Sequence, residues 1–231
     1  MKVRKINRKV KSRLIIEFKG KKYCFSILSL VIFPIGTIIF AILVIQFFGM
    51  RENFWYHEII TKHSVFIMNI LFKAGGEASY LPEDYFPWSI DLPGNRGTYI
   101  NTGCTYIISM SIYAAMIIFT PNSKDPKTNE DIIWRKTKSI FFSMALIYVF
   151  NIFRIALQNF LYYLGNPWSI IHDSALAYFI IVIIHIFIFL FCNRKIPELF
   201  VSIYYSGNLL YITIKEKREK ALKIRIIKKD F

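Results

Sequence analysis

The sequence predicts an all-α, polytopic membrane helix bundle of about four transmembrane helices, with five or six as the alternative. Hydrophobic residues make up 55% of the 231-residue chain, which is more than a soluble domain of this size usually contains. The chain also carries 30 Lys and Arg against 15 Asp and Glu, a formal net charge of +15. A membrane protein with basic flanks accounts for both properties. The hydrophobic content excludes intrinsic disorder, and three cysteines are too few for a secreted disulfide scaffold.

Four apolar runs are each long enough to cross a bilayer, which takes about 20 helical residues. They are residues 26–48, 98–120, 139–164 and 169–192. Only the last two contain charge, with Arg154 in the third run and Asp173 in the fourth. Two further segments, 64–72 and 200–214, are too short or too interrupted to predict a span. Basic residues flank the second of these, which favours a helix lying on the membrane surface.

The basic residues alternate along the chain in a way that predicts the topology. Their number is ten in residues 1–23, four in 49–97, five in 121–138, none in 165–168 and ten in 193–231. Because cytoplasmic loops carry the excess of Lys and Arg, both termini are predicted to be cytoplasmic and the protein to be multi-pass in the cell membrane. The chain then divides into a basic cytoplasmic segment (1–25), a transmembrane core (26–192) with an external loop (49–97), and a basic cytoplasmic tail (193–231) containing a candidate interfacial helix.

The last stretch of the tail, residues 215–229, indicates a partner. A basic run beside a membrane is attracted to anionic lipid headgroups. Aromatic residues that would stack on bases are absent from this stretch, so nucleic acid is not predicted as a partner. The bilayer itself, through its anionic headgroups, is the expected partner of the tail.

Arg154 requires an explanation because a charge inside a membrane is costly. It lies about ten residues before the external end of its run, or roughly 15 Å, which predicts a position near mid-depth. Asn151 and Gln158 share its helix face at spacings of three and four residues. Such a polar stripe is expected to face the interior of the bundle, where the arginine is either functional or held structurally by carbonyl groups.

Cys104 is predicted to be a free thiol on the external side, because Cys24 and Cys192 fall at the cytoplasmic ends of their runs and are out of reach. His172 lies a few residues inside the external end of the fourth run. A thiol, a titratable base and a fixed cation are thus expected on three separate helices in the external half of the membrane. This combination favours nucleophilic catalysis.

Three short motifs then suggest a family. Asn-Thr-Gly-Cys-Thr at 101–105, Asn-Ile-Phe-Arg at 151–154 and His-Asp at 172–173 resemble, in the same order, the signatures of the exosortase/archaeosortase family. The resemblance covers roughly residues 90–191. It implies an integral-membrane cysteine transpeptidase or protease that processes membrane-anchored proteins with a C-terminal sorting signal, which consists of a short motif, a membrane helix and a basic tail.

The resemblance also implies roles for individual residues. Cys104 is expected to form a thioester with the substrate, Arg154 to stabilise the oxyanion or hold the thiolate, and His172 to act as general acid and then as base. Asn151 and Asp173 are expected to support these three. No cofactor and no metal site are predicted, since the histidines are scattered along the chain.

Two other classes of function stay open. A small anion-binding membrane transporter could use Arg154 to hold its substrate, and a non-catalytic membrane assembly protein could use the same polar residues to join helices. Cys104→Ser discriminates among these predictions, since it abolishes peptidase activity and leaves transport unaffected.

Overall fold

The structure, a computed structural model, describes residues 13–172, 175–207 and 211. Helices are α1 (Ile27–Gly49), α2 (Trp55–Phe72), α3 (Ile107–Phe119), α4 (Pro126–Asn129), α5 (Ile132–Tyr163), α6 (Trp168–His172) and α7 (Ala175–Lys195). Strands are β1 (Arg13–Phe18), β2 (Lys21–Ser26), β3 (Glu77–Tyr80), β4 (Trp88–Leu92) and β5 (Asn95–Tyr99). Residues 197–207 are also helical. The chain is mostly helical, and the two small sheets correct the all-α prediction.

The first sheet is an antiparallel hairpin of β1 and β2 within the basic N-terminal segment. Lys19 and Gly20 connect the strands, and both have positive φ, at 49° and 72°. Two-residue turns of this kind match the right-handed twist of paired strands. Ile16 and Phe25 point inward and are fully buried. The prediction missed this hairpin because the abundant lysines of the segment obscured the alternation of its apolar residues.

The second sheet lies within the predicted external loop and joins β3, β4 and β5 in that order, all antiparallel. It packs on α2, where Met68 forms a core with Ile90 and Leu92 of β4 and with Ile155 of α5. The segment 49–97 is therefore a folded layer of one helix and one sheet. We call this layer, together with α6, the sheet end of the molecule.

The second predicted run, 98–120, is only partly helical. Its first residues belong to β5, a turn follows, and α3 covers Ile107–Phe119 alone. Thirteen residues of α-helix measure about 20 Å, which is shorter than the hydrocarbon core of a bilayer. The fourth run, 169–192, is likewise divided between α6 and α7. Segment 64–72 is part of α2, and 200–214 continues the helical residues as far as 207.

Helices α1, α3, α5 and α7 alternate in direction. Gly36 of α1 contacts Phe119 at the end of α3, and a Cβ at Gly36 would lie 2.4 Å from that ring. The absence of a side chain there permits close, antiparallel packing of the two helices. In the same way Phe142, early in α5, stacks on Phe191, late in α7, with 3.7 Å between ring centroids. Helix α2 instead runs alongside the second half of α5, where Phe72 stacks on Phe160.

Within the described part of the chain, two helical stretches are long and apolar enough to cross a membrane. They are Ile27–Gly49 and Pro126–Tyr163, the second of which contains α5. Both expose large apolar side chains, for example Leu28 and Phe141. Length and composition thus support two of the predicted crossings.

The end of the molecule opposite the three-stranded sheet is called the basic end. It contains the β1–β2 hairpin, residues 121–131, the start of α5 and the end of α7. Arg135 holds these parts together. Its two terminal nitrogens donate to both carboxylate oxygens of Glu198, at 3.0 and 3.1 Å. They also donate to the carbonyl oxygens of Lys195 and Thr128. This paired arginine clamps α5 to the loop before it and to the end of α7.

Candidate functional site

Cys104 lies in a turn between β5 and α3, and not within a helix as the run of apolar residues predicted. The backbone N–H of Cys104 donates to the side-chain oxygen of Asn101 at 2.9 Å and also approaches its carbonyl oxygen at 3.0 Å. An asparagine that bonds a nearby backbone N–H favours a turn over a helix. Gly103 leaves room for this contact, since a Cβ there would lie 3.1 Å from the same oxygen.

Tyr106 ends the turn in the left-handed helical conformation, with φ of 58° and ψ of 17°. A non-glycine residue pays about 1 kcal/mol or more for this conformation. The phenol ring lies under Arg154, whose Cζ is 4.9 Å from the ring centroid. This cation–π contact is of a size that offsets the conformational cost. The turn containing Cys104 is therefore fixed at its far end by a contact with α5.

Arg154 and Asn151 bind the same turn from α5. The amide nitrogen of Asn151 donates to the carbonyl oxygen of Cys104 at 2.8 Å, and Nη2 of Arg154 donates to it at 3.4 Å. Nη2 also donates to Oδ1 of Asn151 at 3.1 Å. The structure thus brings Cys104, Arg154 and Asn151 together, and the polar stripe of α5 faces the bundle interior as the sequence predicted.

Gln158 extends this network toward His172. Its Oε1 accepts a hydrogen bond from Nη1 of Arg154 at 3.2 Å, and its Nε2 donates to the carbonyl oxygen of Ile171 at 3.4 Å. Ile171 directly precedes His172 in α6, so His172 joins the network through the main chain. Its half-buried ring stacks on Trp168, with 5.2 Å between centroids. Asp173, the other predicted supporting residue, lies outside the described residues.

One donor of the Arg154 guanidinium, Nε, differs from the two terminal nitrogens. Both of its terminal nitrogens are bonded, whereas Nε is buried and has no hydrogen-bond partner among the described residues. Buried donors are rarely left without an acceptor in folded proteins. Nε is therefore available to donate to an acceptor bound close to the turn.

Arg154 lies closer to the sheet end of the molecule than the position near mid-membrane that the sequence predicted. The end of α1 is level with Tyr148, because Phe48 and Tyr148 line the same groove between α1, α3 and α5. Arg154 follows Tyr148 by six residues, or about 9 Å along α5. The residues of α5 that carry the site are therefore covered by α2 and the sheet rather than by α1.

Two cavities stand out in the described residues, and neither is lined by Cys104, Arg154 or His172. One is the apolar groove between α1, α3 and α5, of about 520 Å³, which begins at Ile107, one turn of chain beyond Cys104. The other, of about 600 Å³, lies at the basic end. The connections that the structure does show are hydrogen bonds from Arg154 to the carbonyl oxygen of Cys104 and, through Gln158, to the carbonyl oxygen of Ile171.

Sequence reasoning did not include Tyr106 in the site. It placed Gln158 on the helix face of Arg154, four positions further on, but gave it no role. No sequence pattern indicated Tyr106, since a left-handed tyrosine is recognised only from backbone geometry.

His185 has a structural contact. Its ring bonds Ser109 at 2.9 Å and the carbonyl of Ile181 at 2.7 Å, and the bond to Ser109 holds α7 against α3.

Comparison of the chain with models of known protein families, with curated proteins and with solved structures gives no match. The resemblance to the exosortase/archaeosortase family therefore rests on the three sequence motifs alone.

Proposed function

We propose that this protein is a membrane-embedded cysteine transpeptidase or protease, similar to the exosortase/archaeosortase family, that cleaves C-terminal sorting signals of surface-targeted proteins. The observation that carries the proposal is the hydrogen-bond network around the Cys104 turn. Arg154 and Asn151 share one acceptor, the carbonyl oxygen of Cys104, and Gln158 connects Arg154 to the residue before His172. These hydrogen bonds connect the main chain at Cys104, the guanidinium of Arg154 and the main chain just before His172, which supports a shared role for the three residues.

The proposed reaction begins with attack by the Cys104 thiolate on the scissile carbonyl carbon of the substrate. The new C–S bond forms while negative charge develops on the substrate oxygen, near the unused Nε donor of Arg154. His172 gives a proton to the leaving amine as the peptide bond breaks, which leaves a thioester on Cys104. His172 then takes a proton from the acceptor, an amine, a hydroxyl or water, which attacks the thioester and releases the thiolate.

The proposed membrane arrangement has α1, α3, α5 and α7 crossing in alternate directions, with the basic end in the cytoplasm. The antiparallel contacts of α1 with α3 and of α5 with α7 support it. So does the charge distribution, because cytoplasmic segments carry the excess of Lys and Arg. In this arrangement α3 is completed by the Cys104 turn, and the site lies at the external boundary, where a membrane-anchored substrate and water both have access.

The contacts of Arg154 favour this proposal over an anion transporter. Both terminal nitrogens of the guanidinium donate within the protein, to Cys104, Asn151 and Gln158, which leaves Nε. A single donor suits one substrate oxygen better than the bidentate binding that an arginine offers a free anion. An assembly protein needs no free thiol at the centre of such a network. The half-exposed Cys104 is free, as are Cys24 and Cys192.

The test is co-expression with a substrate that carries a C-terminal sorting signal, followed by a gel-shift assay of its cleavage. Cys104→Ser and Cys104→Ala are expected to leave no measurable processing, and a thioester adduct should accumulate on Cys104 when the acceptor is withheld. His172→Ala is expected to cause a large but incomplete loss, because water or a neighbouring group can carry the proton.

Cys24→Ser is the matched control, since Cys24 is also a half-exposed free thiol but lies in β2 at the basic end. It should process normally. Normal processing by Cys104→Ala would falsify the proposal, because the other two cysteines lie at the opposite end of the molecule.

A further inference from the structure

The cavity at the basic end is not used by the proposed reaction. Its walls come from β2, α4, the start of α5 and the end of α7, and its volume is about 600 Å³. Cationic side chains dominate the lining: Lys21, Lys127, Arg135, Lys138, Arg194 and Lys195. The carboxylates in the lining are those of Glu130, Asp131 and Glu198.

One of these cations is already neutralised. Arg135 is paired with Glu198 through both terminal nitrogens, and the carboxylate of Glu198 is only 1% exposed. The other five lysine and arginine side chains face two carboxylates and form no ion pair within the described part of the chain. The cavity therefore carries a net positive charge that its own walls do not compensate.

A buried hydroxyl group gives an independent indication of a ligand. Ser139 lines the cavity and is 0% exposed, and its Oγ has no hydrogen-bond partner among the described residues. Burying a hydroxyl without a partner is unfavourable. An acceptor bound beside the lysines would satisfy this group, and a phosphate oxygen has both the charge and the lone pairs to do so.

The wall of the cavity toward the centre of the molecule is aromatic. Phe142 and Phe191 stack on each other there. At the rim Trp134 is 58% exposed, and Nζ of Lys138 lies 4.8 Å from the centre of its ring. Tryptophan and lysine together are typical of the boundary between lipid and water. The occupant must be anionic at one end and apolar at the other.

We propose that this cavity binds the phosphate headgroup of an anionic phospholipid, with the acyl chains passing over Phe142 and Phe191. The chain's own ends are poor occupants, because residues 1–12 contain six Lys and Arg and no acid, and residues 212–231 contain eight against three acids. A basic substrate tail is repelled for the same reason. The proposal does not depend on Cys104 chemistry, and it stands or falls separately from the proposed function.

The experiment uses the full-length protein, purified in mild detergent and titrated with a fluorescent phosphatidylglycerol or a fluorescent phosphatidylcholine. Phosphatidylglycerol is expected to bind at one site per chain, at least tenfold more tightly than phosphatidylcholine. Lys138→Gln combined with Lys195→Gln should weaken phosphatidylglycerol binding about tenfold or more, because each charge near a membrane surface contributes appreciably. Both lysines are exposed, so the variant is expected to fold. Ser139→Ala should weaken binding by a few-fold.

The matched control is Lys22→Gln combined with Lys124→Gln, which removes the same charge from two exposed lysines of the basic end that do not line the cavity. Its affinity should stay within twofold of the original protein. Equal affinity for the two lipids, or an equal loss in the control, overturns the proposal in favour of diffuse attraction to lipid. Binding of glycerol phosphate as tightly as phosphatidylglycerol also overturns it, because the ligand is then a soluble phosphate ester.

Discussion

The guanidinium of Arg154 lies over the ring of Tyr106, with Cζ 4.9 Å from its centroid, while its Nη2 reaches the carbonyl oxygen of Cys104. One arginine on α5 therefore holds a turn that lies some fifty residues earlier in the chain. Arg154 therefore has two effects. Protein groups stabilise its charge, and its contacts fix the turn that carries the Cys104 thiol. The structural and the catalytic interpretations of Arg154 are consequently compatible.

Arg154→Lys is expected to reduce processing of a sorting-signal substrate at least a hundredfold. Lysine keeps the charge but lacks the planar donors that reach Cys104, Asn151 and Gln158 together. The measurement is the gel-shift assay, with thermal unfolding run in parallel to exclude misfolding. Arg194→Lys is the matched control, because Arg194 is exposed at the basic end. Wild-type processing by Arg154→Lys contradicts the role proposed for the guanidinium.

Tyr106→Gly is expected to be about 1 kcal/mol more stable than Tyr106→Ala. Both variants lose the ring contact with Arg154, and they differ chiefly in the cost of the left-handed conformation, which glycine adopts freely. Tyr106→Phe keeps the ring and should resemble the original protein in both stability and processing. Denaturation in detergent measures the differences. Equal stability of the glycine and alanine variants would show that Tyr106 does not adopt this backbone conformation.

Glu198→Ala is expected to destabilise the protein by about 2 kcal/mol, because it leaves Arg135 partly buried and unpaired. Arg135 is 27% exposed, which moderates the loss. The control is Glu58→Ala on α2, whose partner Lys62 is exposed four residues away; pairs of this kind contribute no more than about 0.5 kcal/mol. Thermal unfolding of both variants measures the difference. If Glu198→Ala is as stable as Glu58→Ala, the pair of Arg135 and Glu198 does not hold these segments together.

The pH dependence of stability is expected to reflect His57 on α2, outside both candidate membrane-crossing stretches. His57 is buried, neither ring nitrogen has a hydrogen-bond partner among the described residues, and burial lowers its pKa to about 4. The unfolded chain takes up this proton near pH 6.5, and the folded protein does so only near pH 4. Stability should therefore fall as the pH falls from 6.5 to 4, by up to about 1.4 kcal/mol per pH unit.

Urea unfolding across this range, with His57→Leu as the test variant, measures the effect. The substitution should flatten the decline. His63→Asn, a change at an exposed histidine on the same helix, should leave it intact. An unchanged slope in His57→Leu shows that other groups cause the decline.

The topology predicts that the sheet end is outside the cell. Tyr85 lies between β3 and β4 and is 84% exposed, and Asn129 is exposed at the basic end. In a variant with Cys24 and Cys104 replaced by serine, a cysteine at position 85 should react with an impermeant maleimide in intact cells. A cysteine at position 129 should react only after lysis. The reverse pattern requires an inverted orientation.

The sequence alone determined that the chain is mostly helical and which residues share the inward face of α5. Uncharged runs and the alternation of basic residues predicted the apolar helices, since burial of charge in lipid is costly. Residue spacing on α5 placed Asn151, Arg154 and Gln158 on one inward face. Two of the predicted crossings, by α1 and by α5, have the required length and composition.

Tertiary structure decided the rest. The run 98–120 is as apolar as a membrane helix, yet Asn101 and Gly103 favour a turn, and contacts with α5 add to the hydrogen bonds within that turn. The N-terminal hairpin was missed because its lysines obscured the alternation of its apolar residues. Strand formation also depends on the packing of each strand face, which a local sequence pattern does not determine. The link from Arg154 through Gln158 to the segment of His172 exists only where α5 and α6 pack together, because a hydrogen bond between segments needs both of its ends in place.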